Sequence, residues 1–328
     1  MPAPAIQVSV VIPVYNSQDC LEELAERLTT ALDSLNKNYE IILVNDCSPD
    51  KSWQTILRLL ENYREVKGVN LRRNFGQDNA IMAGLNYACG DAIVIMDDDL
   101  QHNPNDIKLL LSALENGCDV CYAFFDRKRQ SWFKNLGSWF NDKAANIILK
   151  KPKQVYLSPY KAMIRGVVDE IIKYDGAYPY VDGLLFRVTR NITQVTVKHH
   201  KRFSGSGNYT LLKSIRIWSR LATNFSVTPL RIATFLGFVS SAAGFSLAIY
   251  YIIRKLVGDP PLGLVTTIVA ILFLGGIQLI TIGIIGEYVG RLFLLNNKEP
   301  QFVVNETVEA KSKNHSRTQK ASLAVVER

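Results

Sequence analysis

What this chain of 328 residues lacks narrows its function quickly. Its N-terminus, MPAPAIQVSVVIPVY, has neither the basic start nor the small-residue cleavage site of a secretory signal, so the large N-terminal part is expected to stay in the cytoplasm. No GxGxxG follows the first apolar run, and no GxxxxGK followed by Ser or Thr occurs anywhere, which removes a dinucleotide fingerprint and a P-loop. Without those glycine cradles a diphosphate would need a metal ion and basic side chains. The five cysteines, Cys20, Cys47, Cys89, Cys118 and Cys121, form no paired framework. Cys118 and Cys121 have CxxC spacing, but they fall within a predicted strand and no second pair exists, which argues against a zinc site. The net charge is +8, yet there is no basic helix or aromatic-studded sheet motif of a nucleic-acid binder. A basic surface beside anionic lipid is the better match.

Charge itself is missing from two runs, Ile232 to Ile253 and Leu262 to Gly286. A helix of about 20 apolar residues crosses a bilayer, and soluble helices normally keep a polar face, so two transmembrane helices are expected over residues 230–295. Arg216, Arg220 and Arg231 precede the first run, Arg291 and Lys298 follow the second, and only Arg254, Lys255 and Asp259 lie between. The positive-inside rule therefore puts both termini in the cytoplasm. After Asn296 the chain turns polar, and disorder is expected from about Glu309.

What is present is an alternation of strand and helix from Ile6 to Phe124. The runs QVSVVIPVY, YEIILVND, VKGVNL, AIVIMD and DVCYAF read as buried parallel strands of an open α/β sheet. Leu21, Leu24, Leu28, Leu32 and Leu35 share one helical face, with Asp19 as its expected N-cap. In AIVIMDDDLQHNP, a strand runs into Asp97, Asp98 and Asp99. Like charges repel, so such a cluster fits a place where a divalent cation joins them; a solvated acidic turn before a helix starting at Pro104 is the alternative. Ligands of open α/β sheets sit beyond the carboxyl ends of the strands, where Asp46 also falls. Arg72, Arg73 and Arg202 are candidate phosphate partners. Two amphipathic stretches, Arg127 to Ile148 and Tyr209 to Phe225, suit a membrane interface, although the first could equally pack on the sheet.

Together VVIPVYN, VNDCSPD, RRNFGQDNAIMAGL, GDAIVIMDDDLQHNP and KRFSGSGNYTLLK, followed by TPLR and GIIGEYVGR, resemble the polyprenyl-phosphate glycosyltransferases of glycosyltransferase family 2, which share a fold with dolichyl-phosphate mannose synthases. The resemblance covers nearly the whole chain except its last twenty or so residues. It implies a Rossmann-like GT-A domain with a mostly parallel sheet over residues 1–209, an interfacial helix over 210–229, two C-terminal transmembrane helices over 230–295 and a partly disordered tail over 296–328. It further implies that Asp46 contacts the nucleotide, with Pro13, Tyr15 and Asn16 lining the same pocket and Arg73, Asn74 and Gly76 beside it. Asp97 and Asp99, the ends of a DxD motif, would with Gln101 hold Mg2+ or Mn2+, Asp98 standing at the variable middle position. Arg202 resembles the family's phosphate-binding arginine, with Ser204 or Ser206 assisting.

The carboxylate that many relatives carry near a Phe-Arg-Leu run is absent from VYLSPYKAMIRG, Val155 to Gly166. A lipid monophosphate has a second pKa of about 6 and is already an anionic nucleophile. Lys161 could hold that phosphate, and Asp182 is a reserve base. The implied reaction is metal-dependent, inverting transfer of a sugar from a nucleotide diphosphate sugar, a UDP-hexose foremost, to undecaprenyl phosphate, by a homo-oligomer in the cytoplasmic membrane. A processive synthase would need more spans and a QxxRW segment, and a nucleotidyltransferase a glycine-rich loop. A non-catalytic scaffold on a transferase fold, or a different lipid acceptor, are the alternatives.

Overall fold

The computed structural model describes residues 6–125, 155–176, 178–197, 228–257, 264–296 and 299–310. The chain forms two compact units, one joining residues up to Gly207 with those from Glu299 onward, the other formed by Asn208–Lys298.

The first unit is an α/β sheet of eight strands. Its first half alternates β1 (Val8–Val14), α1 (Leu21–Asp33), β2 (Tyr39–Asn45), α2 (Ser52–Asn62), β3 (Val66–Leu71), α3 (Gln77–Tyr87), β4 (Ala92–Ile95), α4 (Ile107–Glu115) and β5 (Val120–Phe125). Then follow β6 (Lys161–Ile164), α5 (Arg165–Ile171), α6 (Val181–Val188) and β7 (Ile192–Val197), and β8 (Val304–Glu309) closes the far edge. The order is β7-β5-β6-β4-β1-β2-β3-β8, in which β6 runs antiparallel to both neighbours and β8 antiparallel to β3. The remaining pairs are parallel, as expected.

Because strand side chains alternate, β1 feeds two cores. Val8, Val10, Ile12 and Val14 pack with the leucines of α1 and with α4, whereas Val11 packs with α3, α5 and α6. Leu21, Leu24, Leu28 and Leu32 are buried and Leu35 is partly so, which is the face the periodicity marked. The cap differs from expectation: Cys20, not Asp19, precedes the helix, with no side-chain cap bond. On the other side α3 lies so close to the sheet that a Cβ on Gly84 would collide with Val11 and crowd Val44 Cγ2 at 3.0 Å.

The C-terminal end holds the largest departure from a polar tail. Val304 to Glu309 pairs with β3, Arg72 N–H donates to the Val303 carbonyl at 2.9 Å, and Gln301 Nε2 donates to the Tyr174 and Gly176 carbonyls. The segment is part of the sheet.

The second unit contains α7 (Thr228–Leu256) and α8 (Leu264–Asn296), which pack on each other. In α8 the stretch Phe273–Gly290 is long and apolar enough to cross a membrane; the apolar stretch of α7, Ala233–Ser246, is shorter. Ser240, Ser241, Gly244 and Ser246 dilute α7. The stretches Arg127 to Ile148 and Tyr209 to Phe225 lie outside the described residues.

Candidate functional site

The register of the sheet builds the site. Val14 pairs with Asn45 and Val11 with Ile95, so the chain leaves β1, β2 and β4 along one edge, carrying Tyr15, Asp46 and Asp97 with it. A cavity of about 290 Å³ opens there, lined by Pro13, Val14, Tyr15, Asp46, Asn74, Gly76, Gln77, Asp97, Asp98 and Asp99. Eight of the residues expected at a donor site thus line one cavity. Tyr15 keeps an exposed ring there, 52% accessible.

Asp46 is buried, and both its oxygens accept backbone hydrogen bonds, from Phe75 N–H at 2.7 Å and Gly76 N–H at 2.9 Å. Burial raises its pKa in spite of those bonds. The clamp requires the chain to turn at Gly76, whose φ of +93° is open to glycine and costly for other residues. Asn79 Nδ2 donates to the Phe75 carbonyl at 2.8 Å and fixes the same loop.

The acidic strand end is organised. Gln77 Nε2 donates to Asp97 Oδ1 at 2.7 Å, Tyr15 N–H to Asp98 Oδ2 at 3.2 Å, and Gln101 N–H to Asp99 Oδ1 at 3.1 Å. Asp98 therefore ties the loop after β1 to the end of β4, a role its variable middle position did not suggest. Burial, then the charges of Asp99 and Asp98, push Asp97 up to about 7, with Lys161 and the Gln77 amide pulling the other way. Burial also raises Asp98. Among the described residues no three His, Cys, Asp or Glu side chains are arranged to hold a metal by themselves. Mg2+ is commonly held by one or two carboxylates with phosphate and water oxygens completing the shell, and a cation beside Asp97 and Asp99 would reverse the repulsion that raises Asp97. The donor set fits such an ion.

Other expected residues sit elsewhere. Arg73 turns to Glu299 at 3.2 Å and stacks over the Phe75 ring at 4.6 Å, and it is not among the residues lining the cavity. Asn16, with φ of +59°, donates its N–H to Ser48 Oγ at 3.2 Å and is also off the lining. Gln101 contributes its backbone N–H to Asp99. Arg202, Ser204 and Ser206 lie outside the described residues.

Lys161 does not meet the expectation of a phosphate-holding residue. It is buried, ion-paired with Asp182, and lies over the Tyr122 ring at 5.3 Å. Asp182 also accepts from the Tyr122 hydroxyl at 2.8 Å, so it braces Lys161 instead of standing ready as a base. β6 is the cause: it places Lys161 opposite both Ile95 and Tyr122, inside the sheet. Gln77 was missed as a residue of this cavity, although it stands in the quoted motif RRNFGQDN.

Comparison with known proteins gives two matches along the chain. Residues 9–172, half of its length, match the model described as Glycosyl transferase family 2. The chain belongs to glycosyl transferase family 2. Residues 228–292 match the GtrB C-terminal hairpin, which covers most of α7 and α8. This family 2 enzyme is a glycosyltransferase, with the fold of solved relatives. Two structures of glucosyl-3-phosphoglycerate synthase from Mycobacterium tuberculosis are similar, one with phosphoglyceric acid and one with Mn2+, UDP-glucose and phosphoglyceric acid. Each is 17% identical, with a TM-score of 0.51 over 68% of this chain and 79% of that one, a likeness of fold.

Proposed function

We propose that the enzyme transfers a hexose from a UDP-sugar to undecaprenyl phosphate at the cytoplasmic face of the inner membrane, with inversion at the anomeric carbon. The observation that carries this reading is the cavity at the carboxyl edge of the sheet, where Tyr15, Asp46, Asn74 and three aspartates meet. The hairpin match supports the lipid acceptor, and the similar synthase crystallised with Mn2+ and UDP-glucose supports the donor class.

In this reading the exposed Tyr15 ring and Pro13 receive the base, as apolar surface beside a polar cleft suits a flat heterocycle. Asp46 contributes by holding the loop that presents Asn74 and Gly76. Asp97 and Asp99 would hold Mg2+ or Mn2+, which when bound neutralises charge on the diphosphate. Arg202 stabilises the departing diphosphate, electrostatic work that usually dominates such transfers. The acceptor phosphate, with a second pKa of about 6, attacks without a general base. The absence of a carboxylate between Val155 and Gly166 and the engagement of Asp182 with Lys161 are consistent with that chemistry.

α7 and α8 form a two-span hairpin that keeps the site at the depth where the lipid phosphate emerges. The glycine face of α8, Gly286 and Gly290, packs spans of neighbouring copies in a homo-oligomer. The test is a transfer assay with purified full-length protein, Mn2+ or Mg2+, undecaprenyl phosphate and a panel of labelled nucleotide sugars. Label in an acid-labile lipid from one donor is expected. No lipid label from any donor, with folded protein, would sink the reading.

A further inference from the structure

The backbone of β4 leaves the sheet at Asp97. Met96 N–H still donates to the Val11 carbonyl at 3.2 Å, but the next donor, Asp97 N–H, turns to His102 Nδ1 at 3.1 Å. The bond closes a loop in which Leu100 takes φ of +61° and Gln101 N–H reaches Asp99. The imidazole that closes it is 5% exposed and stacks with Tyr160 at 4.9 Å and with Phe125 at 5.6 Å, nearly parallel to both. The Tyr160 hydroxyl in turn donates to the Asn103 carbonyl at 3.0 Å, fixing the chain just beyond.

From this geometry we infer that His102 is a positioning residue: it locks the loop that aims the Asp97 and Asp99 carboxylates into the cavity. The chemistry explains the residue type. A phenylalanine could stack but not accept, and an asparagine could accept but not stack. An imidazole with its Nδ1 lone pair turned to Asp97 does both, and that tautomer leaves the proton on Nε2. Buried partners that orient metal-ligating groups typically change metal affinity about 10–100-fold when lost.

The inference rests on the reading of Asp97 and Asp99 as the metal site, so its test carries one readout that does not need metal. Full-length protein in detergent is compared with His102→Phe, His102→Asn and His102→Gln by hydrogen exchange of the peptide spanning Met96 to Leu100 and by Mn2+ binding without donor. Asn offers its oxygen near the position of Nδ1, whereas Gln offers it one carbon further out. The expected result is exchange at least about tenfold faster and Mn2+ binding about 10–100-fold weaker in His102→Phe, with most of both losses recovered in His102→Asn and not in His102→Gln. If His102→Phe does not fold, the Asn and Gln variants decide by themselves. Wild-type exchange in His102→Phe, or identical behaviour of the Asn and Gln variants, overturns the inference. Failure of the wild type to bind Mn2+ both alone and with UDP present would overturn the metal reading instead, leaving exchange to decide the positioning role.

Discussion

At the scale of the residue, the site is a problem of unbalanced charge. Among the described residues Lys161 is a buried cation whose field reaches Asp78, Asp97 and Asp182, one charge against three carboxylates with Asp98 and Asp99 beside them. Replacing Asp99 with alanine should therefore relieve repulsion while removing an oxygen of the proposed metal site. Metal-dependent transfer is expected to fall at least about 100-fold with melting within a few degrees of wild type, and near-normal transfer would remove Asp99 from the metal site. Asp78 tests the same imbalance through pH. Burial, then the charge of Asp182, raises its pKa from 3.8 to about 6, while Val181 N–H and Lys161 oppose the rise. A carboxyl whose pKa is higher folded than unfolded makes the native state bind the proton more tightly. Its stabilising effect is thus greatest below about 4, declines up to about 6 and is absent at neutral pH, where ionised Asp78 costs stability. Asp78→Asn keeps an acceptor for Val181 N–H and removes the charge. It should melt higher than wild type at pH 8, by an amount equivalent to about 1–2 kcal/mol, and converge with it near pH 4. A lower melting point at pH 8 would show that the charge is needed to hold Lys161.

At the scale of the element, what could be read from sequence followed burial. β1 to β5 were legible because strands covered on both faces need continuous apolar runs, and the acidic strand end was legible because three carboxylates follow one of them. β6, KAMI, begins with a buried lysine, and β7, ITQVTV, is only partly covered, so neither carries that signal. Placing Lys161 at the acceptor failed for the same reason, since the strand that buries it was not visible. β8 was hardest. VNETVE is an edge strand, mostly half-buried or exposed, and its partners lie far back in the chain, Asn70 donating to Glu306 across 236 positions. Its consequences reach the site. Arg72 and Arg73, bonded to Val303 and Glu299, flank the outer side of the loop that Asp46 clamps from within. A chain ending at Asn296 should accordingly lose several degrees of melting temperature, aggregate through the bared β3 edge, and show a donor KM raised more than its kcat is lowered. Unchanged donor KM in the truncated protein would confine β8 to stability.

At the scale of the whole molecule, chain order makes the usual dissection misleading. The sheet is completed by residues that follow the hairpin, so cutting the chain before Thr228 removes β8 along with α7 and α8. Loss of activity in such a fragment would say nothing about the membrane. Replacing residues 210–296 with a flexible linker keeps β8 and removes the expected interfacial stretch together with the two helices, whose exposed apolar side chains, such as Phe238 at 77% and Leu279 at 72%, leave a surface fit for lipid. If the helices serve to hold the site at the bilayer, this variant should stay in the soluble fraction and bind the UDP-sugar within a few-fold of wild type. Transfer to undecaprenyl phosphate in vesicles should fall at least about tenfold, because an acceptor confined to a surface must then be found from bulk solution. A short-chain, water-soluble prenyl phosphate should restore much of the rate, since the cavity proposed to take the donor is untouched. Equal rates on the vesicle-borne acceptor with and without the hairpin would separate the helices from catalysis, and failure on both acceptors with donor binding intact would place part of the acceptor site within the deleted residues.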